Sequence, residues 1–219
     1  MNGADRIYMT DTRLLEDADV FRRRYADMPA ERKKKIDACL LDRDRRLSLG
    51  AGILLRRALA DAGARDAVIL HGEDGKPFVP GGIHFNLSHS GDLAACAVSR
   101  APVGLDLEAV RHFGKDLAGF VFHESEIALA RTRAEDPDAA FTALWTVKES
   151  VMKHSGSGLR LTPKRIRILS LDPVRVEADG TLREELRFTE FALPGYRMTV
   201  CSETGPFPDP EWIDPSEDE

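Results

Sequence analysis

Three short runs in this sequence set polar and charged side chains in patterns that suit chemistry. In Val103-Gly-Leu-Asp-Leu-Glu108, strand alternation turns Val103, Leu105 and Leu107 to one face and Gly104, Asp106 and Glu108 to the other. Asp106 and Glu108 then stand side by side, about 7 Å apart along the strand. Like charges so placed repel unless a cation lies between them, and hard carboxylate oxygens suit Mg²⁺. For this run alone, a half-exposed strand with a solvated acidic face is the simpler reading.

The second run, 138–154, has helical periodicity, with an apolar stripe of Phe141, Leu144, Trp145, Val151 and Met152. Glu149 and Lys153, four residues apart, project side by side along its edge. A surface Glu–Lys pair is common and contributes only about 0.3–0.5 kcal/mol. Lys148 falls near the centre of the stripe, where an ammonium is costly unless paired or extended to water. That third charge within the apolar face marks the helix as the carrier of a site. In the third run, Phe85-Asn-Leu-Ser-His-Ser-Gly91, Phe85 and Leu87 alternate with Asn86 and Ser88 before His89 and Ser90 enter a turn at Gly91. A strand ending in hydroxyls, an imidazole and exposed amides can cradle a phosphate, although a lone histidine is more often structural. Upstream, Gly75-Lys76-Pro77 adds a cation on a tight turn.

The elements that must position these residues are mixed. Residues 5–10 read as a first strand, followed by helices over about 15–27 and 30–62 with Met28-Pro29 between them. From residue 66 the texture changes to short, glycine-bounded apolar runs: AVILH, IHFNLS, LAACAVS and VGLDLE. Helical pattern returns at 123–133 and 138–154, and RIRIL, ELRFTEFAL and YRMTVCS read as a β-meander. The tail from Glu203 is rich in Pro, Asp and Glu and is expected to be disordered. The fold class is α+β.

At 219 residues, with 42% hydrophobic and 31% charged residues, the composition is that of a soluble globular protein. No apolar run approaches the roughly 20 residues of a membrane span, and the N-terminus does not read as a secretory signal, so a cytoplasmic location is expected. Cys39, Cys96 and Cys201 are odd in number and widely spaced, which argues against a disulfide framework or a zinc site. Net charge is −6, yet residues 20–60 hold twelve Arg and Lys against five acids. Such a basic segment suits a phosphate or an acidic partner, or is simply a solvated helix face. Nucleic acid is a weaker candidate, with only Phe21 and Tyr25 there to stack bases. The GxxxxGK[ST], GxGxxG, HExxH and GxSxG patterns are absent, and His84, His89 and Asp106 lack a recognisable metal-ligand spacing.

Taken in order, GKP, FNLSHSGD, GLDLE and LWTVKESVMKHSGSGL, spanning residues 75–159, resemble the signature of 4′-phosphopantetheinyl transferases of the Sfp type. The basic helix with Pro29, Lys34 and Arg46 is similar to the family's coenzyme A-binding region, with Glu31 where some relatives have lysine and Arg32 or Lys33 as its substitute. The resemblance implies a pseudo-dimer of two similar α+β halves with the active site in the cleft between them. The halves would be 1–103 and 104–202, with a tail at 203–219.

Carried onto matching positions, the resemblance implies that Lys34, Arg46, Lys76, Pro77, Ser88 and His89 hold coenzyme A. His89 and Lys76 would face its 3′-phosphate. Asp106, Glu108 and Glu149 would hold Mg²⁺. Glu149 would take the proton from the serine of an apo acyl or peptidyl carrier protein. Lys153, with His89, would steady phosphate charge, giving holo-carrier and adenosine 3′,5′-bisphosphate. A monomer is expected, since one chain holds both halves. Two rivals use the same residues: a Mg²⁺-dependent nucleotide hydrolase, and a silent module that binds carrier or coenzyme A. The intact set of Asp106, Glu108, Glu149 and Lys153 weighs against the silent module.

Overall fold

The computed structural model describes residues 5–72, 75–132, 136–156 and 161–217. Glu73 and Asp74 of the predicted GEDGKP turn, and residues 157–159 of the last motif, lie outside the described residues. Strand β1 (Arg6–Asp11) leads through a 3-10 turn into helices α1 (Ala18–Ala26), α2 (Ala30–Asp37) and α3 (Asp42–Asp61). A small hairpin of β2 (Leu70–His71) and β3 (Pro77–Phe78) precedes β4 (His84–Ser90), β5 (Leu93–Ser99) and β6 (Val103–Ala109). Helices α4 (Lys115–Val121), α5 (Glu124–Thr132) and α6 (Pro137–Ser155) follow. The chain ends in β7 (Ile166–Leu171), β8 (Val174–Ala178), β9 (Thr181–Leu182), β10 (Arg187–Leu193), β11 (Tyr196–Ser202) and β12 (Glu211–Trp212).

Two principal sheets carry the fold, in the orders β12-β1-β5-β4 and β10-β11-β6. Each contains the same unit: a strand, a helix, then an antiparallel hairpin whose second strand pairs with the first. This is β1, α3, β4–β5 in one half and β6, α6, β10–β11 in the other. Period-two alternation decides the packing. Ile7, Met9, Ala95 and Ala97 of the first sheet meet Val103, Leu105, Leu107, Met198 and Val200 of the second. The opposite face of the first sheet, with Tyr8, Ala94, Cys96 and Val98, lies under Leu54, Leu55 and Ala58 of α3. Helix α6 buries Leu144, Val147 and Val151 with Ile166, Ile168 and Val176 of the β7-β8-β9 sheet.

Gly104 sets how close α6 comes to β6. A Cβ on Gly104 would run into the Ser150 carbonyl oxygen and the His154 amide nitrogen of α6. Gly104→Ala should therefore separate helix from strand and cost about 1–3 kcal/mol, as over-packing does elsewhere. A thermal melt reads this directly, and an unchanged midpoint would contradict the contact.

The structure differs from the sequence reading in four places. The predicted helix over 30–62 is broken at residues 38–41, and Leu40 there is 97% exposed. Asp42 and Asp44 start α3, where acids favour the positive end of the helix dipole. A short helix, α4, is added. The predicted meander is split, because β7 pairs with β8 in one sheet while β10 and β11 join β6 in another. The tail expected to be disordered is instead laid along the N-terminal half. There β12 pairs in parallel with β1, the Ile213 amide bonds the Met9 carbonyl at 2.8 Å, and Arg24 Nε bonds the Pro215 carbonyl at 2.7 Å. Among the described residues no helix is long and apolar enough to cross a membrane, and all three cysteines are free.

Candidate active site

Strands β4 and β6 run alongside each other at the seam of the two sheets, joined by side chains rather than by a regular ladder. Asn86 Oδ1, Ser88 Oγ and Ser90 Oγ accept hydrogen bonds from the amides of Leu105, Leu107 and Ala109, at 2.8, 3.1 and 3.1 Å. The two serines then donate onward to the acids of β6. Ser88 Oγ lies 3.1 Å from Asp106 Oδ1, and Ser90 Oγ lies 2.8 Å from Glu108 Oε2. The Trp145 indole N–H holds the other Glu108 oxygen at 3.2 Å. The alternation read from sequence stands, since Asp106 and Glu108 face α6 while Val103, Leu105 and Leu107 enter the inter-sheet core.

Helix α6 supplies the counter-charges. Lys153 Nζ lies 2.6 Å from Asp106 Oδ1 and 3.0 Å from Ser88 Oγ. Asp106 is buried, and burial pushes its carboxyl above the usual range while Lys153 pulls it back. Glu149, one turn before Lys153, is half-buried; burial and then the charge of Asp106 push its carboxyl up to about 7, with Glu108 adding to the shift. Lys153 and then the Arg111 guanidinium oppose that shift. The guanidinium rests 5.1 Å from the Phe113 ring centre and 5.8 Å from that of Trp145.

The acids fit a divalent cation in kind, as three carboxylates whose mutual repulsion a cation would relieve. Asp106 Oδ2 is buried without a hydrogen-bond partner, as a ligand atom would be. They are not gathered into a closed cage: among the described residues no three His, Cys, Asp or Glu side chains already converge on one metal position.

Of the residues predicted for the site, the structure brings together Ser88, Asp106, Glu108, Glu149 and Lys153. Ser88 is 7% exposed and its hydroxyl is committed to Asp106 and the Leu107 amide, so it braces the acids. Strand alternation puts His89 on the face of β4 opposite Ser88, and its imidazole is held below its ordinary value by loss of water and then by Lys153, with Arg32 adding to the shift and Asp44 opposing it. Of the two substitutes read for Glu31, Arg32 is the one within electrostatic reach of His89. Lys33 turns away to the Ala26 carbonyl, over the Tyr25 ring. Lys34 pairs with Glu31 at 2.7 Å and Arg46 with Glu16 at 3.3 Å, both on the helical flank. Arg46 lines a cleft of about 480 Å³ there with Phe21, Tyr25 and Arg45. The Lys76 ammonium, on the hairpin beside Pro77, is turned into backbone carbonyls.

Lys148, read from sequence as a sign of the site, is not part of it. Its ammonium is fully buried against Glu126 at 2.8 Å on another side of α6. Sequence reasoning named Asn86 and Ser90 only within a phosphate cradle and Trp145 only within the apolar stripe, not as partners of the acids, and missed Arg111. Extending the β4 alternation past Ser88 would have placed Ser90 beside Asn86, and Trp145 lies one turn from Glu149 on α6.

Comparison with known proteins agrees along most of the chain. Residues 42–99 match the model of the 4′-phosphopantetheinyl transferase N-terminal domain, and residues 102–201 match that of the 4′-phosphopantetheinyl transferase superfamily. A 4′-phosphopantetheinyl transferase of Bacillus subtilis is 32% identical over 194 residues, covering 82% of this chain and 84% of the relative. The transferase Sfp of Bacillus subtilis strain 168 is 34% identical over 149 residues, 63% of each chain. The transferase gsp of Aneurinibacillus migulanus is 35% identical over 132 residues, 59% of this chain. The matched stretch thus spans 63% of Sfp and 56% of gsp.

Proposed function

As the chain belongs to the 4′-phosphopantetheinyl transferase superfamily, in its Sfp type, we propose that it moves phosphopantetheine from coenzyme A to a serine of an apo acyl or peptidyl carrier protein. The observation that carries the reading is the cluster on α6 and β6. A buried Asp106 is bound to Lys153, and Glu149 stands one helical turn before that lysine, within electrostatic reach of both Asp106 and Glu108.

The carrier serine oxygen attacks the β-phosphorus of coenzyme A. The new P–O bond forms as the bond to adenosine 3′,5′-bisphosphate breaks, and the serine proton passes to Glu149. Burial and the neighbouring acids move the Glu149 carboxyl upward, the direction that makes its carboxylate a better proton acceptor. Lys153 meets the charge that develops on the phosphate oxygens. Asp106, Glu108 and Glu149 would hold Mg²⁺, which when bound neutralises the pyrophosphate. His89 and Arg32, with Lys34 and Arg46 on the basic flank, take the phosphates at the nucleotide end. The repeated strand–helix–hairpin unit supports a pseudo-dimer within one chain, with the site along the β4–β6 seam and the molecule acting as a monomer. The surplus of cations on α1–α3 suits an acidic carrier.

The test is intact-protein mass spectrometry of an apo carrier incubated with this protein and coenzyme A. A gain of one phosphopantetheinyl group, dependent on Mg²⁺, is expected. Consumption of coenzyme A without any carrier would replace the reading with a hydrolase. Binding without turnover would leave a silent binding module.

A further inference from the structure

Lys76 leaves the β2–β3 hairpin of the N-terminal half and reaches the far end of α6. Its ammonium donates to the carbonyls of Lys153 at 2.5 Å and His154 at 3.1 Å, in the last turn of that helix. A third bond, at 3.3 Å, goes to the carbonyl of Val103, the first residue of β6. The stem of the side chain packs over Gly156, the left-handed residue that ends the helix; a Cβ there would lie 3.2 Å from Lys76 Cδ. The last carbonyls of a helix lack intrahelical partners and carry partial negative charge, so a cation is the group that suits them. Burial pulls the Lys76 ammonium down to about 8, which leaves it mostly charged at neutral pH.

One side chain therefore ties together the ends of the two elements that bear the site. Strand β6 carries Asp106 and Glu108, and α6 carries Glu149 and Lys153. The backbone carbonyl that Lys76 grips belongs to Lys153, whose own ammonium must reach Asp106. Gly104 already brings β6 and α6 into backbone contact at this end, so a small slide of the helix is felt directly at the Lys153–Asp106 pair.

We propose that Lys76 is a positioning residue that clips the end of α6 to the start of β6, and so sets Lys153 and Glu149 against Asp106. The expectation drawn from the resemblance, that the Lys76 ammonium holds a coenzyme A phosphate, is replaced by this assignment. The two roles predict opposite kinetics. Loss of a phosphate ligand raises KM for coenzyme A, whereas loss of a clip lowers kcat, because displacement of a catalytic group by about 1 Å can cost up to about a hundredfold.

Lys76→Met keeps the stem and removes the ammonium. Its kcat should fall roughly tenfold to a hundredfold while KM for coenzyme A stays within about threefold. Lys76→Gln, which keeps one donor for one carbonyl, should fall between Met and wild type at the same KM, and is read alone if the Met variant does not fold. A rise in KM of tenfold or more with kcat unchanged would overturn the proposal in favour of a phosphate ligand. The inference rests on the transferase reading, so two measurements that need no turnover accompany it. Backbone amides of 150–156 should exchange hydrogen faster in Lys76→Met, and its affinity for coenzyme A by calorimetry should match wild type. Unchanged exchange with weakened binding would reject the clip even if no carrier were ever modified.

Discussion

Glu149→Gln should slow carrier modification by about a hundredfold to ten-thousandfold while leaving the protein folded, the span that removal of a general base gives. The substitution keeps the shape of the side chain and removes one of three negative charges gathered on α6 and β6. Because burial and Asp106 raise the folded-state value of Glu149 above that of the unfolded chain, its ionisation opposes folding at pH above the unfolded value. That cost ends once the pH falls below the unfolded value, where the group is protonated in both states. At pH 8 the Gln variant should therefore melt at the same temperature as wild type or higher. Loss of transfer with an unchanged or raised melting temperature separates a chemical role from a structural one. Near-normal transfer by the variant would remove Glu149 as the base.

The acids and the helix that opposes them are legible because their signals are local. Alternation along Val103–Glu108 needs only the pleat of a strand, and Glu149 with Lys153 needs only the helical repeat. What is not legible depends on contacts made from afar. Asn86, Ser88 and Ser90 act on β6 because β4 lies beside it, and no spacing within β4 announces which strand it will meet. Lys76 reads as a cation on a turn, and its destination is fixed by a helix some seventy-seven residues later. The tail reads as disordered because it is acidic and proline-rich, yet its backbone is held by Met9, Arg24 and the ion pair of Glu211 with Arg57. The break between α2 and α3 is not announced by the residues around it: Cys39 and Leu40 continue an apolar helical spacing from Ile36, yet both lie outside the helices and Leu40 is almost fully solvated.

Lys148→Met should have the converse effect to Glu149→Gln, a large loss of stability with little change in turnover per folded molecule. One helical residue turns the side chain by about 100°, so neighbours on α6 serve different surroundings. The Lys148 ammonium meets the carbonyls of Val121, Pro163 and Ile166 at 2.8–3.1 Å, as well as Glu126. Glu126 in turn accepts the amides of His123 at 2.7 Å and Ile168 at 2.6 Å, so the pair joins α5, α6 and β7. Burial lowers the Lys148 ammonium and the neighbouring carboxylate raises it again. Removing only the lysine strands a buried carboxylate and three carbonyls, a defect that costs about 3–5 kcal/mol. At about 2–4 °C per kcal/mol for a chain of this size, the melting temperature should fall by roughly 6–20 °C. Activity measured well below the new midpoint should stay near wild type, because none of these partners touches Asp106, Glu108 or Lys153. A variant that melts normally but fails to transfer would return Lys148 to the site, as its position within the apolar stripe first implied. A charge on an apolar helical face thus has two meanings that spacing cannot separate, and the nearest opposite charge decides between them: Asp106 for Lys153, Glu126 for Lys148.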